Sequence, residues 1–174
     1  MDSNQHPEDS SEKNKLKIYT FLEENPVGVL STVSSDGKPH AVVIYFTIND
    51  IFDITFTNAF DMTFTTKEGT KKVRNLKQND HVMLIVFDTL TQTTVQITAI
   101  AHIITDAAEK EQALRETNRA SLTTSHGRIP PIVKLSAGNL MAFKLKPVRI
   151  KMAVFKDAIS GTYNEIYETV EFGM

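Results

Sequence analysis

Runs in which apolar and polar residues alternate cover much of the chain, and this is the pattern of half-buried β-strands. The run 95–104, VQITAIAHII, alternates in this way and predicts a long strand. Two other runs, 41–48 and 81–87, are apolar almost throughout, so we expect both faces of these strands to be covered. The segment 141–154 alternates as well but contains Pro147, which predicts two strands bent at that proline.

Two hairpins are predicted ahead of the long strand. The segment VGVLSTVSSDGKPHAVVIYFTI has two β-rich runs around an Asp-Gly turn at 36–37, which is a strong short-range hairpin signal. An internal repeat follows, since FDITFTNA begins at Phe52 and FDMTFTTK begins at Phe60. We interpret the two copies as similar strands joined by a turn at 58–59.

Helices are predicted between these strands. The first runs from Ser10 or Ser11 to about Glu24, where Pro26 ends it; a short second helix opens at Thr70, and a peripheral third covers 106 to about 124. We assign residues 1–10 to a disordered lead-in and 11–174 to a single domain. Six or seven strands without regular βαβ alternation predict a mainly β fold, an antiparallel barrel with helices on its outside.

Composition narrows the classes of function. The 174 residues include 19 Lys and Arg against 21 Asp and Glu, a balance that argues against nucleic acid or a membrane surface as a partner. The absence of cysteine excludes disulfides, thiol catalysis and Cys-ligated metals. The polar opening MDSNQHPEDSSEKNK, together with the lack of a long apolar run, predicts a cytoplasmic protein.

Familiar catalytic and metal-binding motifs are missing from the sequence. No G-x-S-x-G, Walker lysine or G-x-G-x-x-G motif occurs, so the catalytic residues stay unknown. The histidines lack the i, i+4 and H-x-E spacings of metal sites on helices, and we interpret each as solvated or incidental and predict no metal. The five are His6, His40, His81, His102 and His126.

The stretch FTTKEGTKKVRNLKQNDHV, residues 64–82, has an unusual distribution of charge. It predicts the end of a strand, a turn, and a helix with three cations in its first turn, where the helix dipole is already positive. A bound phosphate would make those cations favourable, and nearby hydroxyls would add hydrogen bonds; the alternative is a solvated basic turn. Because hydroxyls, amides and lysines converge after a strand, we favour phosphate. The candidate phosphate-binding residues are Thr65, Thr66, Thr70, Lys71 and Lys72, and Arg74 is the third cation of the helix.

Three motifs in order resemble those of the pyridoxamine 5'-phosphate oxidase-like, FMN-binding split β-barrel proteins. They are VGVLSTVSSDGKPH, FTTKEGTKKVRNLKQNDHV and VQITAIAHIITD, and the likeness covers roughly residues 16–106, with a weaker part in PVRIKMAVF. The resemblance implies a split antiparallel β-barrel with peripheral helices, bound FMN, and a homodimer with the flavin in a groove between the subunits.

The same resemblance implies positions for the flavin site. The FMN phosphate would be held by Thr70, Lys71 and Lys72, and the strand-end pair of the family falls on Thr65 and Thr66. The strand that lines the isoalloxazine would be Val42, Val43, Ile44, Tyr45, Phe46 and Thr47, and a polar residue on a later strand falls near Thr94.

Departures from the family pattern argue against vitamin B6 oxidation. True pyridoxamine phosphate oxidases have Arg and Lys where this chain has Val42 and Thr47, and their C-terminal tryptophan and R-x-H-D-R motif are missing. Ala99 stands where the family usually has a glycine in its long strand. Of the two repeat copies, we take the second as the family's strand because it leads directly into the phosphate loop. We expect an FMN-dependent oxidoreductase of unknown substrate. The alternatives are a non-catalytic flavin-binding or stress-sensor module, and a barrel that binds haem or a deazaflavin.

Overall fold

The computed structural model of the chain describes residues 7–48, 60–126, 134, 136, 138–155 and 167–171. Three helices and seven strands lie within these residues. In chain order they are α1 (Pro7–Glu24), β1 (Val27–Val33), β2 (Pro39–Ile48), β3 (Met62–Lys67), α2 (Lys71–Leu76), β4 (His81–Asp88), β5 (Thr93–Ile103), α3 (Ala107–Thr124), β6 (Leu140–Val154) and β7 (Tyr167–Glu171). The first copy of the repeat and the turn at 58–59 lie outside the described residues.

Six strands close into an antiparallel barrel. Their order is β3-β2-β1-β4-β5-β6, and the pairing of β3 with β6 completes the circle. β7 extends the sheet by pairing with β6 outside that circle. The second repeat copy supplies β3, and the mainly β barrel expected from the sequence is confirmed.

β6 is one strand of 15 residues and not the expected two. Its pairing with β5 shifts register at Pro147, so that Thr98 pairs with Arg149 and Ala99 with Pro147. Val148 is therefore the extra residue of a β-bulge. On its other edge β6 pairs with β3 up to Leu145 and with β7 from Arg149, and the proline, which has no N–H to donate, lies between the two partners.

The barrel interior and two of the helices form the main apolar core. Phe64 and Phe143 stack with ring centroids 5.2 Å apart, and Ile18 and Leu22 of α1 are fully buried in the same cluster. α3 packs on the outside of β2, β3 and β6. None of the described helices is both long enough and apolar enough to cross a membrane.

The start of α1 lies earlier than the sequence predicts, and β2 and β4 each have an exposed face. α1 begins at Pro7, before Ser10, because proline is well tolerated in the first helical turn. β2 and β4 are covered on one face only within a single chain, since Val43 is 61% exposed and Phe87 is 56% exposed. Their inward neighbours, such as Phe46, are completely buried.

Candidate functional site

Lys72 is a buried lysine at the end of the barrel. The turn after β3 brings α2 back beside the strand, and the Lys72 Nζ donates a hydrogen bond of 2.9 Å to the Thr66 Oγ1. Lys72 is only 9% exposed, and this burial lowers the pKa of its amine. No carboxylate among the described residues forms an ion pair with it. A buried cation without a counter-ion is costly, so the site fits an anion.

Two threonine hydroxyls lie beside this amine. Thr70 is at the N-cap position of α2 as the sequence predicts, but its side chain caps no helical amide. Its Oγ1 instead donates to the carbonyl of Lys67 at 2.9 Å and lies 3.4 Å from the Thr66 Oγ1. Thr66, Thr70 and Lys72 are therefore a connected polar cluster, which we call the lysine cluster.

The other two cations of the motif lie in different surroundings. Lys71 is exposed, next to the lysine cluster. Arg74 is exposed as well, and its Nη1 is 3.5 Å from the carbonyl oxygen of Gly69. Because α2 has only six residues, its dipole is weak, and the side chains carry the positive charge of the site.

A buried hydrogen bond fixes α2, and with it Lys72, on β1. Asn75 is 3% exposed, and its Nδ2 donates to the Thr32 Oγ1 at 2.9 Å. Thr32 is also buried and is paired with His40 in the β1–β2 register. Thr32 and Asn75 have no local sequence signal that marks them as site residues, because their contact joins positions 43 residues apart.

His40 is a half-exposed residue at the start of β2 with one buried ring nitrogen. Its Nδ1 is buried and has no hydrogen-bond partner. Burial lowers the pKa of the imidazole, and the charges of Lys71 and Lys72 lower it further. His40 therefore belongs to the surroundings of the lysine cluster. Its only sequence signal is its position directly after the Asp-Gly turn, at the end of the hairpin.

The remaining predicted site residues are only partly brought together. On β2 the side chains of Ile44 and Phe46 are buried in the core and Val42 packs against it, whereas Val43, Tyr45 and Thr47 alternate with them on the outer face. Thr65 pairs with Ala142 and alternates with Thr66, so its side chain leaves on the opposite face of β3. Thr94 lies on β5 opposite Phe87 and pairs with Ala153 of β6, far along that strand from Met141, which pairs with Thr66.

A groove of about 1190 Å³ opens near the far end of β3, between the sheet and the helices α1 and α3. Thr47 and Thr63 line it, and Thr63 is about 10 Å along the strand from Thr66. The wall formed by α3 is charged and includes Glu116 and Arg119, whereas Ile48 of β2 contributes apolar surface. The groove can therefore accept a molecule with both apolar and polar parts.

Comparison with known proteins connects this arrangement to one family. The sequence model of the family described as pyridoxamine 5'-phosphate oxidase matches residues 15–152. No curated protein matches the chain. Three solved structures share its fold at identities of 12% to 15%, a level of identity that shows fold alone.

The first of these structures is a Clostridium acetobutylicum protein related to general stress protein 26, of the pyridoxinephosphate oxidase family, with 15% identity, a TM-score of 0.64, and coverage of 92% of this chain and 96% of that one. The second is a pyridoxamine 5'-phosphate oxidase-related, FMN-binding protein from Nostoc punctiforme, with 14% identity, a TM-score of 0.54, and coverage of 98% and 100%. The third is ChuZ from Campylobacter jejuni, with 12% identity, a TM-score of 0.62, and coverage of 93% and 60%. The fold is thus the split barrel of these proteins, and because the family match spans most of the sequence, the chain belongs to the pyridoxamine 5'-phosphate oxidase family.

Proposed function

We propose that the protein binds FMN and acts as a flavin-dependent oxidoreductase. The observation that carries this proposal is Lys72, a buried amine with two hydroxyl neighbours and no carboxylate partner among the described residues. A phosphomonoester supplies the missing negative charge and enough acceptor oxygens for both hydroxyls and the amine. The FMN-binding relative from Nostoc punctiforme supports the same choice of ligand.

Each part of the chain has a distinct task in this proposal. Lys72 and Lys71 attract the phosphate, and the hydroxyls of Thr66 and Thr70 orient it. The outer face of β2, with Tyr45 at its centre, offers a surface for the flavin ring. The flavin supplies the electron-transfer chemistry when it is bound, while the protein binds it, orients it and limits its contact with water.

We also propose that the active form is a homodimer with the flavin between its subunits. The outer faces of β2, β1 and β4 carry Val43, Val29 and Met83, all exposed in one chain. An apolar surface of this kind on adjacent strands is typical of an interface. Thr94 pairs with Phe87 and so borders the same face. In the dimer, Thr94 of one subunit can therefore contact the flavin that is bound at the lysine cluster of the other.

The groove between the sheet and the helices α1 and α3 is the proposed binding place for the substrate. The groove that begins at Thr47 offers space for a second reactant beside the ring surface. Its lining includes Glu109, Glu116, Arg119 and Lys144. Vitamin B6 oxidation is disfavoured, because the family's arginine and lysine are replaced by Val42 and Thr47.

The visible spectrum of the purified protein, followed by ligand titration, tests the proposal. We expect a flavin spectrum after incubation with FMN, and tighter binding of FMN than of riboflavin, which lacks the phosphate. Lys72→Met should weaken FMN binding and leave riboflavin binding unchanged, whereas the matched variant Arg74→Met should behave like the wild type. Equal affinity for FMN and riboflavin would contradict the phosphate assignment.

Activity needs a second measurement. Reduction of the bound flavin by NADH or NADPH, followed by reoxidation with candidate acceptors, separates an oxidoreductase from a non-catalytic flavin-binding module. A haem-binding protein from Mycobacterium smegmatis shares the fold. Tight haem binding with a Soret band, in a protein that takes up no FMN, would therefore replace the flavin proposal.

A further inference from the structure

His40 is a titratable group beside the lysine cluster to which the proposed function gives no task. It is the second residue of β2 and pairs with Thr32 of β1, the residue that anchors α2 through Asn75. The imidazole Nδ1 is buried and makes no hydrogen bond. A buried polar atom without a partner is unfavourable, and such atoms in native proteins call for an explanation.

The charges that act on His40 are both positive. They belong to Lys71 and Lys72 of α2, the helix that packs on β1 beside the strand of His40. From β1 the neighbouring polar group is the neutral hydroxyl of Thr32, whose Oγ1 lies 3.4 Å from the His40 carbonyl oxygen. No acidic side chain among the described residues contributes to the titration of His40. Without an anion, this environment therefore favours the neutral imidazole.

We propose that His40 is the proton-binding group of the anion site: a phosphomonoester that binds at Lys72 is accompanied by uptake of a proton on His40. This inference rests on the proposed function, because it assigns a further group to the same phosphate site. The ligand class is a phosphomonoester dianion, whether it is FMN or free phosphate. The imidazolium donates from both ring nitrogens, so that its Nδ1–H gains an acceptor.

The sign of the effect follows from linkage. In the free protein, burial and the two lysines keep the pKa of His40 below 6.5, and a neighbouring dianion raises it because it offsets those cations. Between the free and bound pKa values, binding takes up a proton. The contribution of His40 alone makes the phosphate affinity rise as pH falls, by at most about tenfold per pH unit for one proton.

Two other groups can exchange protons when FMN binds. The phosphate itself has a second pKa of about 6, and two lysines lower it, so the ligand releases protons on binding. The amine of Lys72 is also buried and titratable. Only a comparison of variants separates His40 from these contributions, because the ligand and Lys72 are the same in each variant.

Isothermal titration of the full chain with FMN at pH 7, in two buffers of different ionisation enthalpy, measures the protons exchanged. We expect the wild type to take up more protons per FMN than His40→Gln, and the control His102→Gln, an exposed histidine of β5, to match the wild type. Equal proton exchange in His40→Gln and the wild type would overturn the proposal.

Nuclear magnetic resonance of the wild type provides a second test that does not depend on FMN. The His40 imidazole signal is identified by its loss in His40→Gln, and its pKa is measured with and without inorganic phosphate. We expect phosphate to raise it; an unchanged pKa at saturating phosphate would contradict the role of His40. If the wild type binds phosphate but not FMN, the flavin proposal fails and this test still decides the role of His40.

Discussion

Lys72 illustrates at the residue scale how binding competes with stability. Its amine is buried, its pKa is lowered by that burial, and its hydrogen-bond partner is a neutral hydroxyl. Such an amine costs free energy in the folded protein until an anion binds. Residues that a fold tolerates at a cost are commonly those that its function requires.

Lys72→Met tests this competition directly, because methionine keeps most of the apolar stem and removes the charge. In the absence of FMN we expect the free energy of unfolding to increase by about 1 kcal/mol. The affinity for FMN should fall roughly 10- to 150-fold, which corresponds to the loss of a charge-assisted bond of about 1.5–3 kcal/mol. Urea denaturation and fluorescence titration measure the two quantities.

Arg74→Met is the control for Lys72→Met, since Arg74 is an exposed cation on the same helix. We expect its stability to stay within about 0.5 kcal/mol of the wild type. A marked loss of stability in Lys72→Met, with FMN affinity retained, would show that Lys72 has a structural task.

The lowered pKa of His40 predicts that the stability of the ligand-free protein depends on pH. Its folded-state pKa is lowered from 6.5, so the unfolded chain binds more protons than the folded one between the folded value and 6.5. Stability is therefore complete above about pH 6.5 and decreases as pH falls through that window. Thermal melts from pH 7.5 to 5 should show a smaller decrease for His40→Gln than for the wild type. Identical pH profiles of the two proteins would contradict this prediction.

The sequence predicted the residue types of the site better than their surroundings. Thr66, Thr70 and Lys72 follow from a local motif, and the structure places them together. That Lys72 is buried while Lys71 is exposed depends on how α2 lies on β1, and this is a contact between distant positions. His40 was missed for the same reason, because its neighbours come from α2.

At the scale of elements, α2 depends on its contacts with the barrel. A helix of six residues is not stable alone. Val73 and Leu76 bury its apolar side in the core, and Asn75 binds Thr32. The position of the lysine cluster thus follows from one buried hydrogen bond and a small apolar contact.

A double-mutant cycle at Thr32 and Asn75 tests this anchoring. Thr32→Val leaves the buried Asn75 amide without its acceptor and should cost about 1–3 kcal/mol of stability. Asn75→Leu should also destabilise the protein. The double variant Thr32→Val/Asn75→Leu should cost about 1 kcal/mol less than the sum of the single changes, since neither partner remains unsatisfied. Strictly additive losses in urea denaturation would mean that the hydrogen bond contributes nothing specific.

Gly28 controls how closely β1 approaches β4. A Cβ at this position would lie 2.8 Å from the Leu84 Cδ1 and 2.9 Å from the backbone oxygen of Ile85. Because a backbone atom cannot move aside easily, Gly28→Ala should destabilise the protein by roughly 1–3 kcal/mol. Gly37→Ala is the comparison: its Cβ meets nothing within 4 Å, but its φ of +78° is strained for alanine, and we expect about 1 kcal/mol. Thermal melts that rank Gly37→Ala as the more damaging change would contradict this account.

Strands and helices with a clear local pattern were predictable. The hairpin of β1 and β2 follows from its turn residues, β3 and β5 follow from alternation, and β4 follows from its continuous apolar run. The helix α3 follows from the start and stop signals of its sequence. The continuity of β6 did not follow, because Pro147 normally interrupts a strand; here its missing N–H falls where the strand exchanges β3 for β7. This exchange is a property of the closed barrel and is not visible in the local sequence.

At the scale of the whole molecule, the apolar runs 41–48 and 81–87 have a simple explanation in the proposed dimer. Their inward residues fill the barrel, and their outward residues lie together because Val29 pairs with both Val43 and Ile85. A continuous apolar run predicts that both faces of a strand are buried, but it does not predict whether the same chain or a partner chain buries them. Within one chain a single face of each strand is covered, and the cover of the second face by a partner subunit stays a prediction.

A charge on this outer face should separate the subunits. Val43→Lys adds a cation to a residue that is 61% exposed in one chain, so the barrel itself should tolerate it, whereas a dimer would have to bury the charge without a partner. We expect light scattering to give a dimer for the wild type and a monomer for Val43→Lys, with unchanged circular dichroism.

Leu16→Lys is the matched control, since Leu16 is an apolar residue of α1 that is 54% exposed. This variant should remain dimeric. FMN affinity should fall with dissociation because the proposed flavin site includes both subunits. A wild type that is monomeric at micromolar concentration with FMN bound would exclude the dimer, and a dimeric Val43→Lys would place the interface on another surface.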